Sequence, residues 1–392
     1  MTRFYGKALL APLTVFLFVF FLLPMGWFMA YGVRETEIPR ALPRTLAVLD
    51  GWLAGEPVPA TVFAAMAEDM RQAADSGTMA DAARRINYEL PGVRSAMSKA
   101  TRTVGRSDAG TSFDSAFFEA INPMLASPAF FSVVKRAGGP LTDHYLLAAV
   151  DLKRGPDGAL SQAPNENRIY IDVLIRTLSI SATVTLCCLL MGFPVAVLLA
   201  NASEKVADAV LILVLLPFWT SILVRTTAWI VLLQKEGLVN DALIWLGVIS
   251  EPLAMIFNRT GVVIAMTHVL LPFMILPLFA ALKAIPGRYM RAAHSLGAPP
   301  MTAFFRVYLP LAVPGIAAGC MMVFILSVGY YVTPSLVGGP GDQMLSTFVA
   351  TYTTTTGNWG MASSLGFVLL FVTVLLYLVA HRLSGGRAVL PG

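Results

Sequence analysis

Arg291-Ala292-Ala293-His294-Ser295-Leu296-Gly297, followed by Val307-Tyr308-Leu309-Pro310, is a short polar and basic stretch between two long apolar runs. Pro286, Pro299 and Pro300 punctuate it. The runs on either side, about Val262–Leu282 and Leu309–Val332, each reach the ~20 residues needed to cross ~30 Å of hydrocarbon. A basic segment between two spans belongs on the cytoplasmic side, where short loops carry excess Lys and Arg. Pro286 suits the first turn of a helix, where its missing N–H costs nothing. Arg288–Leu296 then reads as about two helical turns, with Gly297 as a left-handed stop. Pro299 or Pro300 opens a second short helix through Arg306. Ala292, Ala293, Leu296 and Gly297 are small or apolar and let another protein approach the backbone, while the arginines suit an acidic rim. The plainer reading is an ordinary helix–turn–helix between spans.

Composition agrees with a membrane class. Of 392 residues, 56% are hydrophobic and only 13% are charged, against about 25% charged in soluble domains. Cys187, Cys188 and Cys320 all lie in apolar runs, so neither a disulfide framework nor a metal site is expected. The net charge of +5 marks cytoplasmic loops in such a chain rather than a nucleic-acid partner.

Outward from the opening stretch, the chain divides into unlike parts. Residues 1–33 hold Arg3 and Lys7 and then an apolar run to Val33. That run exceeds the about 7–15 apolar residues of a cleaved signal peptide. It reads as an uncleaved first span with a cytoplasmic N-terminus. Residues 34–168 carry 15 Lys+Arg and 16 Asp+Glu and no run long enough to span. They read as a soluble, mainly helical, periplasmic insertion. One helical pattern covers Thr61–Arg85, Tyr145–Leu152 suggests a short strand, and Lys153–Asn167 is rich in turn formers. The insertion is expected to contact a solute-binding protein, to cap a pore entrance, or to be a structural embellishment.

Residues 169–384 read as a five-helix core. Its spans are about Ile171–Ala200, Ala209–Leu233, Val262–Leu282, Leu309–Val332 and Met361–His381. The inner loop is 285–307 and the tail is 385–392. An outer loop over 234–261 contains its own apolar helix around Leu238–Val248. Inner segments hold Arg3, Lys7, Lys205, Lys283, Arg288, Arg291, Arg306, Arg382 and Arg387 against Glu204 and Asp208. This bias puts both termini in the cytoplasm. The expected class is therefore an all-α integral membrane protein with six transmembrane helices and a soluble insertion after the first.

The alanine pair, the glycine four residues on and the distal Val307-Tyr308-Leu309-Pro310 resemble the "EAA" loop of binding-protein-dependent ABC importer permeases. Arg291 stands where that family usually has Glu. Leu216-Pro217-Phe218-Trp219-Thr220-Ser221 with Val224-Arg225-Thr226 and Ala228-Trp229 resembles the spermidine/putrescine branch. So do Leu270-Leu271-Pro272-Phe273-Met274-Ile275-Leu276-Pro277 and Gly329-Tyr330-Tyr331-Val332-Thr333-Pro334 with Leu336-Val337-Gly338-Gly339, and then Asn358-Trp359. The resemblance covers roughly 171–382 and leaves the insertion out. It implies the type I ABC importer permease fold in a bacterial inner membrane. It also implies cytoplasmic ATP-binding subunits docked on Arg291, Ala292, Ala293, Leu296 and Gly297, a second homologous permease subunit, and a periplasmic solute-binding protein. Membrane lipid surrounds the spans.

No Gly-x-x-x-x-Gly-Lys-Ser/Thr is present, so ATP belongs to a partner chain, and no enzyme motif, cofactor or metal set is recognised. Arg225, ionisable at membrane depth, is the leading candidate for the translocation path. Snorkelling or a structural pair is the alternative for it. Trp219, Trp229, Tyr330 and Tyr331 are further candidates, because aromatic faces attract ammonium groups by ~0.5–2 kcal/mol; belt or packing roles compete for each. Thr220, Thr226 and Thr227 are expected to bond backbone carbonyls, and His268 to be packed and hydrogen-bonded. The expected cargo is a polyamine. An amino-acid-like or opine-like solute is the alternative, with an ion-coupled secondary carrier or an enzymatic 34–168 domain behind it.

Overall fold

The computed structural model describes residues 2–53, 56–74, 77–108, 111–155, 157–165 and 168–383. The 385–392 tail lies outside them. The chain forms two compact units.

The first unit comprises Met1–Ile171 and Thr356–Leu365. Its opening helix runs Thr2–Leu17, widens into a π-helical turn at Phe18–Leu22, and continues as Leu23–Ala30. Pro24 follows the widened turn; it has no N–H for the helix ladder, and its ring crowds the carbonyl four residues back. Leu10–Val33 is long and apolar enough to span a membrane.

Beyond it, helices Glu37–Ala41, Pro43–Leu49, Ala60–Ala74, Thr78–Glu89, Val93–Arg106, Ser115–Ile121, Pro128–Arg136 and His144–Ala148 pack together. Their core is built on Phe63, Met66, Met70, Met97, Phe118, Phe130 and Phe131. Side-chain oxygens of Asp114 and Ser127 accept the N–H groups of Phe117 and Phe130, capping two of these helices. The single helical pattern expected over Thr61–Arg85 is two helices, the second beginning after Gly77 at φ +73°. The strand expected over Tyr145–Leu152 is instead the helix His144–Ala148. Tyr145 and Ala148, three apart, turn inward together, which a strand of period two would not allow. Strand structure begins at Leu152–Arg154, paired antiparallel with Leu160–Gln162.

Charge is buried in this unit. Arg85 Nε donates to Glu35 Oε2 at 2.9 Å and Nη1 to Glu89 Oε1 at 2.8 Å; Arg136 also pairs with Glu89. The Asp151 carboxylate accepts N–H bonds from Ile169, Tyr170 and Ile171. It thereby satisfies orphan donors at the start of the long helix Tyr170–Asn201.

The second unit comprises Asp172–Thr355 and Gly366–Gly392. Its long helices include Tyr170–Asn201, Arg259–Lys283, Pro300–Val328 and Trp359–Leu383. Arg259–Lys283 packs along Pro300–Val328 at small residues. A Cβ on Gly315 would lie 2.4 Å from Ala281 Cβ, and one on Gly319 would lie 2.8 Å from Met274 Sδ. Apolar residues gain little by leaving lipid for one another, so such close backbone approach is what holds spans together. Ile180, Val184, Met266, Leu270, Met274 and Val323 fill the core around this contact.

Two expected spans differ from the structure. The span expected over Ala209–Leu233 is a bent pair, Glu204–Trp219 and Ile222–Leu232, at 98°. Pro217 lies in the turn before the bend, and Thr220 and Ser221 are extended there, with ψ of 147° and 142°. Thr220 N–H and Oγ both donate to the Pro217 carbonyl, so the break keeps its polar groups bonded. Five described helices pass the length and hydropathy test for a span, and six do if the bent pair counts as one. The span expected from Leu309 begins nine residues earlier, at Pro300, and runs unbroken to Val328 through a π-helical turn at Phe304–Tyr308. Tyr330 and Tyr331 therefore lie beyond its end.

Candidate functional site

Two places in the second unit collect the residues singled out by sequence. The first is the polar loop. Its helix is Arg288–Ser295, with Gly287 at the N-cap. Pro286 thus precedes the helix rather than opening its first turn. The helix ends as the sequence requires: Gly297 has φ +83°, Gly297 N–H donates to the His294 carbonyl at 2.9 Å, and Ala298 N–H donates to Ala293 at 3.0 Å. That pair of bonds closes the helix C-terminus with a residue only glycine fills without strain. Pro300 opens the next helix at its first turn, as expected, but that helix is the start of the following span.

Arg291, Ala292, Leu296 and Gly297 are exposed, Leu296 at 89%. Ala293 is buried within the chain. It therefore cannot share an exposed face with Ala292 and Gly297. Lys283, Arg288, Arg291 and Arg306 are exposed around the loop. The sequence has no carboxylate between Glu251 and Asp342. The loop presents a bare aliphatic knob, Leu296, inside a cationic surround.

The second place lies where Ile222–Leu232, Arg259–Lys283 and the segment after Val328 meet. Trp229 Nε1 donates to His268 Nδ1 at 3.2 Å, and their rings are edge-on with centroids 5.4 Å apart. Thr226 Oγ donates to the Ile222 carbonyl at 2.8 Å and lies 3.3 Å from Thr333 Oγ. The Tyr330 carbonyl accepts from Ser346 Oγ at 2.6 Å. Arg225 is half-buried. Its Nε is buried with no hydrogen-bond partner among the described residues.

The structure thus brings Trp229 to His268, and Thr226, one residue on from Arg225, to Thr333. It does not bring Trp219 there: that ring is 76% exposed, on the other side of the 98° bend. Tyr331 follows Tyr330 in sequence but is exposed, and its hydroxyl has no hydrogen bond among the described residues. Thr333 and Ser346 were missed by sequence reading. Each is a hydroxyl on a short helix between spans, Val332–Val337 and Leu345–Thr354, and only the fold shows that they meet Thr226 and the Tyr330 carbonyl.

Outside the spans, the first unit holds a cluster of shifted groups. Burial raises the Glu37 carboxyl to about 7, with Glu35 adding to the rise. Burial lowers His144 well below the usual histidine range, and the nearby Arg85 charge adds to it. Burial also raises the Tyr145 phenol. Among the described residues no group of three or more His, Cys, Asp or Glu is placed to hold a metal.

Residues 192–385 match the family described as "Binding-protein-dependent transport system inner membrane component". The chain is 33% identical over 216 residues to the spermidine/putrescine transport system permease protein PotB of Escherichia coli strain K12, covering 55% of this chain and 78% of that protein. Against PotB of Haemophilus influenzae the identity is 36% over 216 residues, covering 55% of this chain and 76% of that one. The inner membrane ABC transporter permease protein YdcU of Escherichia coli strain K12 is 35% identical over 232 residues, 56% of this chain and 73% of that protein. Among solved structures, a chain of a bacterial alginate ABC transporter in complex with alginate pentasaccharide-bound periplasmic protein aligns over 55% of this chain and 78% of that chain. Its identity is 21% and its TM-score 0.46.

Proposed function

The chain belongs to the inner-membrane components of binding-protein-dependent transport systems, the permease subunits of ABC importers, and we propose that its cargo is a polyamine such as putrescine or spermidine. The carrying observation is its 33–36% identity to PotB proteins across three quarters of their length. As a permease subunit it supplies the path rather than the ATP site. ATP is hydrolysed by separate cytoplasmic subunits, since the chain has no phosphate-cradling Gly-x-x-x-x-Gly-Lys-Ser/Thr.

The Arg288–Ser295 helix is the element on which those subunits act. Leu296 enters a groove on the ATPase, Ala292 and Gly297 allow close approach, and Arg291 meets its acidic rim. Ala293 holds the helix against the span ends. ATPase closure then rocks this chain against a second, homologous permease, and a periplasmic binding protein delivers the solute. Both termini are cytoplasmic and residues 34–168 are periplasmic. Labelling with a membrane-impermeant thiol reagent from the outer face should modify Ser112→Cys and leave Ser295→Cys untouched; the reverse pattern overturns the orientation.

At the outer end of the core, the rings of Trp229, Tyr330 and Tyr331 offer faces that replace the hydration of an ammonium group. One observation favours a second reading. Arg225, half-buried with Nε unbonded, is the group a carboxylate would pair with, so an anionic or zwitterionic cargo is the alternative. Uptake of labelled putrescine by the assembled transporter in proteoliposomes separates the two. Competition by spermidine supports the polyamine. Competition only by an anionic or zwitterionic solute makes Arg225 the substrate contact instead.

A further inference from the structure

The helix Val93–Arg106 is two-sided. Val93, Ala96, Met97, Ala100 and Val104 are buried in the core of the first unit. Arg94, Lys99, Arg102 and Arg106 are all exposed on the other side, and no carboxylate occurs between Glu89 and Asp108. At spacings of seven and eight residues, Arg94–Arg102 and Lys99–Arg106 line up along that face. Elsewhere in the unit, Arg44, Arg84, Arg85, Arg136 and Arg154 each sit within 4 Å of a carboxylate. Among the described residues none of the four on this helix does. Lys99 Nζ reaches only the Ile121 carbonyl, at 3.5 Å, and Arg102 Nε only the Ser98 carbonyl, at 3.2 Å. A groove of about 370 Å³ runs beside the face, walled by Met79, Ala80, Ser98 and Arg102. The insertion is thus nearly neutral in total, yet this helix face carries four cations with no ion pair among the described residues.

We infer that this cationic face of Val93–Arg106 is the docking surface for the acidic rim of the soluble binding protein. The inference rests on the polyamine reading. A protein that captures a solute with several ammonium groups replaces their hydration with carboxylates, so its opening is acidic. That opening must face the permease at delivery. A cationic face on the insertion steers it there and fixes its orientation, a contribution that acts mainly through encounter rate and is screened by salt.

The test uses the whole transporter in nanodiscs and the purified binding protein of the same system, both empty and loaded with spermidine. Wild-type affinity should weaken steeply as salt is raised from low to physiological strength. The combined variant Arg94→Gln, Lys99→Gln, Arg102→Gln and Arg106→Gln should bind at least ten-fold more weakly at low salt and lose most of the salt dependence. Its thermal midpoint checks that the domain is folded, and reversal of the single residue Arg102→Glu gives a smaller loss of the same kind. Equal affinity and equal salt slope in wild type and variant overturn the inference. So does an effect seen only in nanodiscs rich in phosphatidylglycerol and absent in phosphatidylcholine, which would make the face a contact for anionic lipid. A binding protein that does not take up spermidine sinks the polyamine reading, while the measurement on the empty protein still decides the docking face.

Discussion

The two units hold charge in opposite ways. The first buries Arg85, with 3% of its side chain exposed, and surrounds it with Glu35 and Glu89, and through Glu89 with Arg136. The second keeps almost every described charge at helix ends or in loops, and among its described residues Arg225 is half-buried with its Nε unbonded. A water-exposed domain can bury an ion pair, because the chain supplies both partners and their hydrogen bonds together. A bundle in lipid has no such reserve, so an ionisable group retained there answers to a function or to a partner. The difference teaches where to look: paired buried charge is architecture, and solitary half-buried charge is a candidate for transport.

The largest effect expected from breaking this division falls on the loop, which carries neither kind of buried charge. Gly297→Asp puts a side chain at φ +83° and a negative charge in a cationic surround. No atom lies within 4 Å of a Cβ there, so the fold has room and the damage is to the turn and to the partner contact. Uptake by the assembled complex should fall by a factor on the order of 100, with the variant still inserted in the membrane. Native-rate uptake with the ATPase bound would remove the loop from the coupling role.

Next comes the buried network. Arg85→Met leaves Glu35 and Glu89 without their shared partner, and losses of about 3–5 kcal/mol are usual for such half-removals. The thermal midpoint of the full chain in detergent should drop by several degrees. The triple change Glu35→Gln, Arg85→Met and Glu89→Gln should recover part of the drop. An unchanged midpoint for the single variant would show that the network is not structural.

Arg225→Gln should have a smaller effect and sharpens the contrast most. If Arg225 is a bystander to cation passage, uptake of putrescine changes by less than about ten-fold and the thermal midpoint holds, because no hydrogen bond to its Nε is lost. Abolished uptake, with substrate still bound by the soluble protein, would place Arg225 in the path.

The smallest effect concerns pH. The Glu37 carboxyl is raised to about 7 in the folded unit, first by burial and then by Glu35, against an ordinary value of 4.5. The folded state therefore holds this proton more tightly than the unfolded chain does. The stabilisation is complete below pH 4.5 and is lost as pH rises through about 7. Asp81, Arg84, Arg85 and Glu35 all act on the same carboxyl. Glu37→Gln should flatten the decline of the thermal midpoint between those values; identical pH profiles would show that Glu37 titrates normally.

Several of these features were legible before any fold was known. Run length marked the spans, because a bilayer demands about 20 apolar residues from any helix that crosses it. Gly297 announced its left-handed turn, since the demand is local and only one residue type meets it cheaply. The Trp229 and His268 side chains announced no partnership, because they lie thirty-nine residues apart. The bend at Thr220 was hidden for a different reason: apolar composition runs straight through it, and a proline tells of a break but not of its angle.

The sequence by itself therefore determined which stretches are apolar and long enough to cross a bilayer, and which, 34–168 and the loop around Gly297, are too polar to do so. Those are decided residue by residue through transfer energies and backbone preferences. The tertiary structure decided which residues meet. It turned Ala293 inward while leaving Leu296 out, started a span at Pro300 instead of Leu309, bent the third apolar run by 98°, and set Trp229 against His268. Packing between distant helices selects among conformations that local preferences leave nearly equal in energy, so contacts of this kind exist only once the helices are together.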